Sequence, residues 1–222
     1  MRSAVLKRVI QWSTLALLSA AVTGCVIPQL IGGMAASAER QGSSTIDAEY
    51  FGLEDKSYAV VVVADRLIQS EFPALTSRIT QRVDAMLYQN AGASGHAPPA
   101  RLLGYLYDHP GWVALPRGQL AEEIGVERLV VIEILEYRLG EPGNRYTWNG
   151  VASANVEVYE TEYAFPDDPA FERLVRVRFP DSDGILREQI SEAGVNTALS
   201  NRLCDRAAWL FYSHEEPNAI TY

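Results

Sequence analysis

Apolar and polar positions sort this chain into alternating blocks. Tyr58-Ala59-Val60-Val61-Val62-Val63-Ala64 is an unbroken, β-branched apolar run, the pattern of a strand buried on both faces, and Asp65-Arg66 closes it. After Phe72-Pro73, Leu75, Ile79, Val83, Met86 and Leu87 recur at helical spacing. Arg78, Gln81, Arg82 and Asp84 fall on the other side, with Thr76 or Ser77 as the cap. Asn90 to Pro99 is a Gly-, Ala-, Ser- and Pro-rich loop. Arg101 to Tyr107 reads as a short strand, ended by the turn Asp108-His109-Pro110-Gly111. Pro116 opens a short helix, Gln119 to Ile124, with Gly125 at its stop. Leu129 to Tyr137 is the strongest strand, apolar on both faces at first and alternating afterwards. That alternation puts Glu133 and Glu136 on opposite faces. Val151 to Tyr159 alternates with Val156 and Val158 inward and Glu157 outward. Leu174 to Phe179 alternates with one solvated, basic face. Asn196 to His214 is a last helix whose stripe is Leu199, Leu203, Cys204, Ala207, Leu210 and Phe211.

The order is β-α-β-α-β-β-β-α. It predicts an α/β (α+β) fold, a mixed β-sheet of about five strands with two to three packed helices, in one domain over residues 51–222. Ahead of it, Val26 to about Tyr50 shows no strong periodicity and reads as a flexible tether, residues 25–50.

Residues 1–24 follow a different rule. Arg2, Lys7 and Arg8 precede an apolar stretch, Val9 to Val22, that ends in Val22-Thr23-Gly24-Cys25. The stretch is interrupted by Gln11, Ser13 and Thr14 and falls short of the ~20 apolar residues of a permanent span. The segment looks like a bacterial lipoprotein signal with its lipobox. The resemblance implies cleavage between Gly24 and Cys25, thioether-linked diacylglycerol on Cys25, and an acyl chain such as palmitate on the new amino terminus. Several chains together anchor stably where one would not. Val26 in place of Asp, by the same resemblance, favours the outer membrane facing the periplasm.

Charge and cysteines sharpen this picture. The 222 residues carry 19 basic and 28 acidic side chains, a net −9. The first 24 hold three of the basic ones and none of the acidic, so cleavage leaves 16 against 28, or −12. That sign disfavours nucleic acid and anionic lipid surfaces as general partners. With Cys25 lipidated, Cys204 has no partner for an intramolecular disulfide, and its place in an apolar stripe makes it a small core hydrophobe.

The stretch Leu120-Ala121-Glu122-Glu123-Ile124-Gly125-Val126-Glu127-Arg128-Leu129-Val130-Val131-Ile132-Glu133-Ile134 is a short helix ending in Gly that runs into a strong strand. Together with the early strand Val60 to Val63 and the helix Leu75 to Leu87, it resembles a group of envelope proteins. These are the amino-terminal domain of the Tol translocation protein TolB, the curli secretion lipoprotein, and the lipoprotein activators of penicillin-binding proteins. The resemblance covers Tyr58 to Phe211 in order of elements and only this stretch in residues. It implies action by binding envelope proteins or by self-association, and it brings no catalytic residues.

The residues offer little reactive chemistry. His96, His109 and His214 lie in loops or at a helix end, without a metal-ligand partner at suitable offset. Asp181-Ser182-Asp183-Gly184 opens like a calcium loop but lacks the remaining ligands, and a β-turn accounts for it. No nucleophile elbow, phosphate loop or dinucleotide fingerprint occurs. The expectation is therefore a non-enzymatic envelope lipoprotein, without cofactor or metal, that binds or assembles a secretion, transport or wall-synthesis complex. The alternative is a binder of a small molecule or glycan. Aromatic loop tips, Tyr146, Trp148 and Trp112, are the candidate interaction surface, unless they fold back onto the sheet edge.

Overall fold

The computed structural model describes residues 43–181 and 184–217. The signal segment, the Gly24–Cys25 junction and the tether as far as residue 42 lie outside the described residues, as do Ser182 and Asp183. The chain divides into two units. Residues 45–214 fall in the larger one, described below, while the smaller holds residues 43–44 and 215–217 among those described.

In chain order the described elements are β1 (Ser43–Ile46), β2 (Ser57–Ala64), α1 (Arg66–Glu71), α2 (Leu75–Asn90), β3 (Gly95–His96), α3 (Pro99–Asp108), a 3-10 turn (Pro110–Ala114) and α4 (Arg117–Ile124). There follow β4 (Arg128–Arg138), β5 (Thr147–Trp148), β6 (Gly150–Glu160), β7 (Phe171–Phe179), β8 (Ile185–Leu186), α5 (Glu192–Ala208) and β9 (His214–Pro217). The main sheet has the order β3-β2-β4-β6-β7, with β5–β8 and β1–β9 as separate two-stranded ribbons. β2 is parallel to β3 and to β4, whereas β4–β6 and β6–β7 are antiparallel, so the sheet is mixed. The α/β class and five-stranded sheet agree with the reading of the sequence. The helices are more numerous than expected, five α-helices among the described residues.

The sheet separates two apolar layers. On one face Val60, Val62, Val130, Ile132, Val156 and Val158 pack under Leu75, Ile79, Val83 and Leu87 of α2 and Val195, Leu199 and Leu203 of α5. On the other, Ala59, Val61, Leu129 and Val131 meet Leu102 of α3 and Leu120 and Ala121 of α4. This double cover is why residues 59–64 of β2 and 129–132 of β4 can be apolar at every position.

Four local readings need correction. Arg101 to Tyr107 is not a strand but most of α3. Pro99 sits at its first turn, where a missing N–H costs nothing, and Leu102, Tyr105 and Leu106 make a helical stripe against the second layer. α2 begins at Leu75 behind Ala74, with no side-chain cap from Thr76 or Ser77. Asp84, placed on its polar side, is buried. Finally, the pairing of β4 with β6 slips at Leu135: Ile134 faces Ala154 and Glu136 faces Ser153. This bulge reverses the parity of the strand. Glu133 and Glu136 therefore share one face instead of opposing each other, while Tyr137 is turned into the α2–α5 layer.

The termini of two elements also differ. α5 starts at Glu192, where the Ser191 hydroxyl accepts from the Gly194 N–H, and ends at Ala208. Residues 48–50, read above as the end of a tether, are held in the folded unit: Ala48 is buried, and the N–H groups of Glu49 and Tyr50 both donate to the Leu210 carbonyl.

Candidate functional site

On the second face, a cleft of about 430 Å³ opens where β3, the start of α3 and the end of α4 meet. Gly125 fixes one wall. It ends α4 in the left-handed conformation (φ 82°), so the chain can turn directly from helix into β4. Leu102, Ile124 and Val126 supply an apolar lining, and His96, Arg101, Tyr105 and Glu123 supply the polar groups.

Each polar group is held differently. The His96 Nδ1 donates to the Asp84 carboxylate, 2.8 and 2.9 Å from its two oxygens. The ring stacks on Tyr88, with centroids 4.5 Å apart, and lies 5.9 Å from Tyr58. Burial holds the Asp84 carboxyl above the usual carboxylate range, against the lowering effect of His96. The Tyr58 hydroxyl donates to the Asp84 backbone carbonyl at 3.0 Å, and burial with the nearby carboxylate pushes it well above the ordinary phenol. The parallel pairing of Tyr58 with His96 brings these groups together from distant parts of the sequence. The His96 ring thus sits on the α2 side of the sheet, at the edge of the cleft. On the α3–α4 side, Tyr105 donates to Glu123 at 2.5 Å and Gln119 donates to the other carboxylate oxygen at 2.9 Å. These two bonds hold Glu123 below its ordinary range. Arg101 has no ion-pair partner among the described residues.

A second polar cluster, at the opening of β4, is structural. The Arg128 guanidinium, 6% exposed, donates to the Gly52 carbonyl through Nε (2.9 Å) and to the Glu127 carbonyl through Nη1 (2.9 Å). It grips Glu162 with both Nη atoms, at 2.5 and 2.6 Å. That fork holds the Glu162 carboxyl down at about 2. Lys56 bridges Glu127 and Glu162, and Tyr50 donates to Glu160. Beyond α4, among the described residues, the second sheet face is part-exposed and charged. Glu136 pairs there with Arg138 and Arg176.

The aromatic candidates separate. Tyr146 is 81% exposed, as a contact residue should be. Trp148 is not on a loop tip surface: it is buried in the first layer, donates its indole N–H to the Ile190 carbonyl at 2.9 Å, and lies under Arg187. Trp112 is half-buried against the second layer. The Gly143–Gly150 loop is drawn inward because β5 pairs with β8. Of the other histidines, His109 stacks on Tyr105 and His214 on Trp209. Asp181 accepts both Nη atoms of Arg202, and Gly184 has φ 42°. Cys204 is a buried free thiol. Among the described residues no helix is long and apolar enough to cross a membrane.

The Asp84–His96 pair escaped the sequence reading because the two residues are twelve positions apart on different elements. The one available signal was an acidic residue beside the apolar stripe of α2.

The sequence matches no protein-family model and no curated protein. Solved structures similar to it include a lipoprotein from Neisseria meningitidis, 16% identical over 68% of this chain and 97% of that one, with a TM-score of 0.45. A PelC dodecamer from Paraburkholderia phytofirmans is 10% identical over 77% and 98%, with a TM-score of 0.46. A putative neuraminyllactose-binding hemagglutinin homolog from Helicobacter pylori is 11% identical over 71% and 80%, with a TM-score of 0.30.

Proposed function

We propose that this chain is a lipid-anchored envelope protein, held by Cys25 at the outer membrane and facing the periplasm, whose domain binds or assembles other envelope components without itself catalysing a reaction. The observation that carries the reading is Val22-Thr23-Gly24-Cys25 behind a basic start and a short apolar run. The folded unit supports it in one respect. Its most deeply placed charges, Arg128 and Asp84, are engaged in holding elements together, and its open sheet face and exposed Tyr146 offer surface for contact. Replacing Cys25 by Ser moves the protein from the membrane fraction to the soluble fraction. A Cys25→Ser protein that stays with the membrane refutes the anchor. Crosslinking in intact cells recovers a defined complex or ring, which Tyr146→Ser weakens. Recovery of the monomer alone refutes the assembly role.

A second reading, a binder of a small molecule, is favoured by one observation: the cleft of about 430 Å³ falls within the size range of small-ligand sites, roughly 300–1,000 Å³. A ligand retained by the purified protein in native mass spectrometry supports it.

A further inference from the structure

β7 is nine residues long and lies at the edge of the main sheet, and no strand among the described residues pairs with its far side. One hydrogen bond fixes which backbone groups that side presents. The Thr161 N–H donates to the Glu127 carbonyl, so odd-numbered residues of β6 turn their backbone to β4 and even-numbered ones to β7. Ala154 and Val156 therefore bond Val175 and Arg173. The N–H and C=O groups of Glu172, Leu174 and Arg176 point the other way, out of the sheet edge. Neither a proline nor a bulge, two devices that blunt an open edge, interrupts β7. Val175 and Val177 are buried in the first layer and hold the strand in place. On its other face Glu172, Leu174 and Arg176 are exposed, Leu174 by 62%.

We propose that β7 pairs antiparallel with β7 of a second copy of this chain, about a two-fold axis at Leu174, so that the two main sheets become one. On this axis Leu174 faces Leu174, and Glu172 of each copy faces Arg176 of the other. The open backbone groups are then matched, with an apolar contact at the centre and an ion pair on either side. Both charged side chains have capacity left for it. Glu172 accepts from Asn155 through one oxygen at 2.8 Å, and Arg176 reaches Glu136 through one Nη at 3.4 Å. The arginines of β7 oppose other registers. An axis at Glu172, Arg173 or Arg176 sets like charges face to face. An axis at Val175 sets Leu174 against Arg176 and calls on the Arg178 carbonyl, which already accepts from Arg202 at 2.6 Å. This pairing rests on the assembly reading above and names its partner, a second copy.

Cysteine crosslinking of the full chain, purified from membranes in mild detergent, tests the pairing. Opposed residues of a hydrogen-bonded antiparallel pair have Cα atoms about 5.5 Å apart, within reach of a disulfide. Leu174→Cys therefore links to itself on mild oxidation, well above the background set by the unsubstituted chain with its native cysteines. Glu172→Cys and Arg176→Cys each stand about 13 Å from their own counterpart and do not self-link, whereas a mixture of the two does. Sedimentation supplies a second readout. Arg176→Glu lowers the association constant at least about tenfold, because two carboxylates then face each other, and adding Glu172→Arg in the same chain restores it. All three positions are exposed, so the variants keep the fold, which circular dichroism checks. A monomer at roughly 100 μM overturns the proposal, as does a Leu174→Cys chain that links no better than background or a double exchange that fails to restore association. If the purified chain shows no β7 link while intact cells yield a defined complex, the pairing falls and the assembly reading stands.

Discussion

Replacing Arg128 by Met tests how the opening of β4 is held. In the folded protein the guanidinium satisfies two backbone carbonyls, those of Gly52 and Glu127, and the carboxylate of Glu162. Met fills part of the volume but donates nothing. The carboxylates of Glu127, Glu160 and Glu162 then share only Lys56 among the cations that surround them here. Breaking a fully buried pair costs ~3–5 kcal/mol. Glu162 is 47% exposed and can regain water, so the expected loss near neutral pH is about 2–3 kcal/mol. Part of that loss depends on pH. The Glu162 carboxyl is lowered from 4.5 to about 2 by folding. Its stabilisation is therefore complete above 4.5 and fades as pH falls from there through about 2. Full burial would make this ~3.4 kcal/mol, and solvent screening of a half-exposed group reduces it to roughly 1–2 kcal/mol. In Arg128→Met the carboxyl returns toward its ordinary range. The stability gap between the two proteins thus narrows by roughly 1–2 kcal/mol in acid. Urea unfolding of both proteins at a series of pH values measures the gap, and Glu162→Gln, which carries no titrating carboxyl, removes this group's share of the pH dependence. A gap that is constant with pH, or smaller than ~0.5 kcal/mol throughout, refutes the reasoning.

Further outcomes follow from burial. Trp148→Ala opens a cavity in the first layer and orphans the Ile190 carbonyl, so it costs ~3–5 kcal/mol in urea unfolding. Tyr146→Ser, on the exposed side of the same loop, changes stability by less than ~0.5 kcal/mol. Equal effects from the two would contradict their placement. Burial pushes the Cys204 thiol up to about 12, so a thiol reagent labels it only as fast as the protein unfolds. Rapid, complete labelling under native conditions would show the site is open.

What could be read from the sequence was whatever repeats locally. The runs in β2 and β4 and the alternation of β6 and β7 locate the sheet, because each residue's face follows from its neighbours. Arg101 to Tyr107 misled because a short apolar run fits strand and helix alike. Its leucines, with no Val or Ile, and the prolines before it were the clues to a helix. The cleft was beyond such reading. Asp84 looked solvated because three of its neighbours on α2 are polar, and only the pairing of β2 with β3 gives it His96 as partner. Trp148 misled by position, since a ribbon with β8, distant in sequence, decides its burial.

The slip at Leu135 has a consequence for how this fold can diverge. From Leu129 to Ile132, ahead of it, both sides of β4 are buried, and a change in side-chain volume is felt at once. Downstream, Glu136, Arg138 and their neighbour Arg176 stand on a face that no helix among the described residues covers, while Tyr137 still secures the strand from behind. A single extra residue therefore divides one strand into a half where substitution disturbs two packed layers and a half where one face accepts it at little cost.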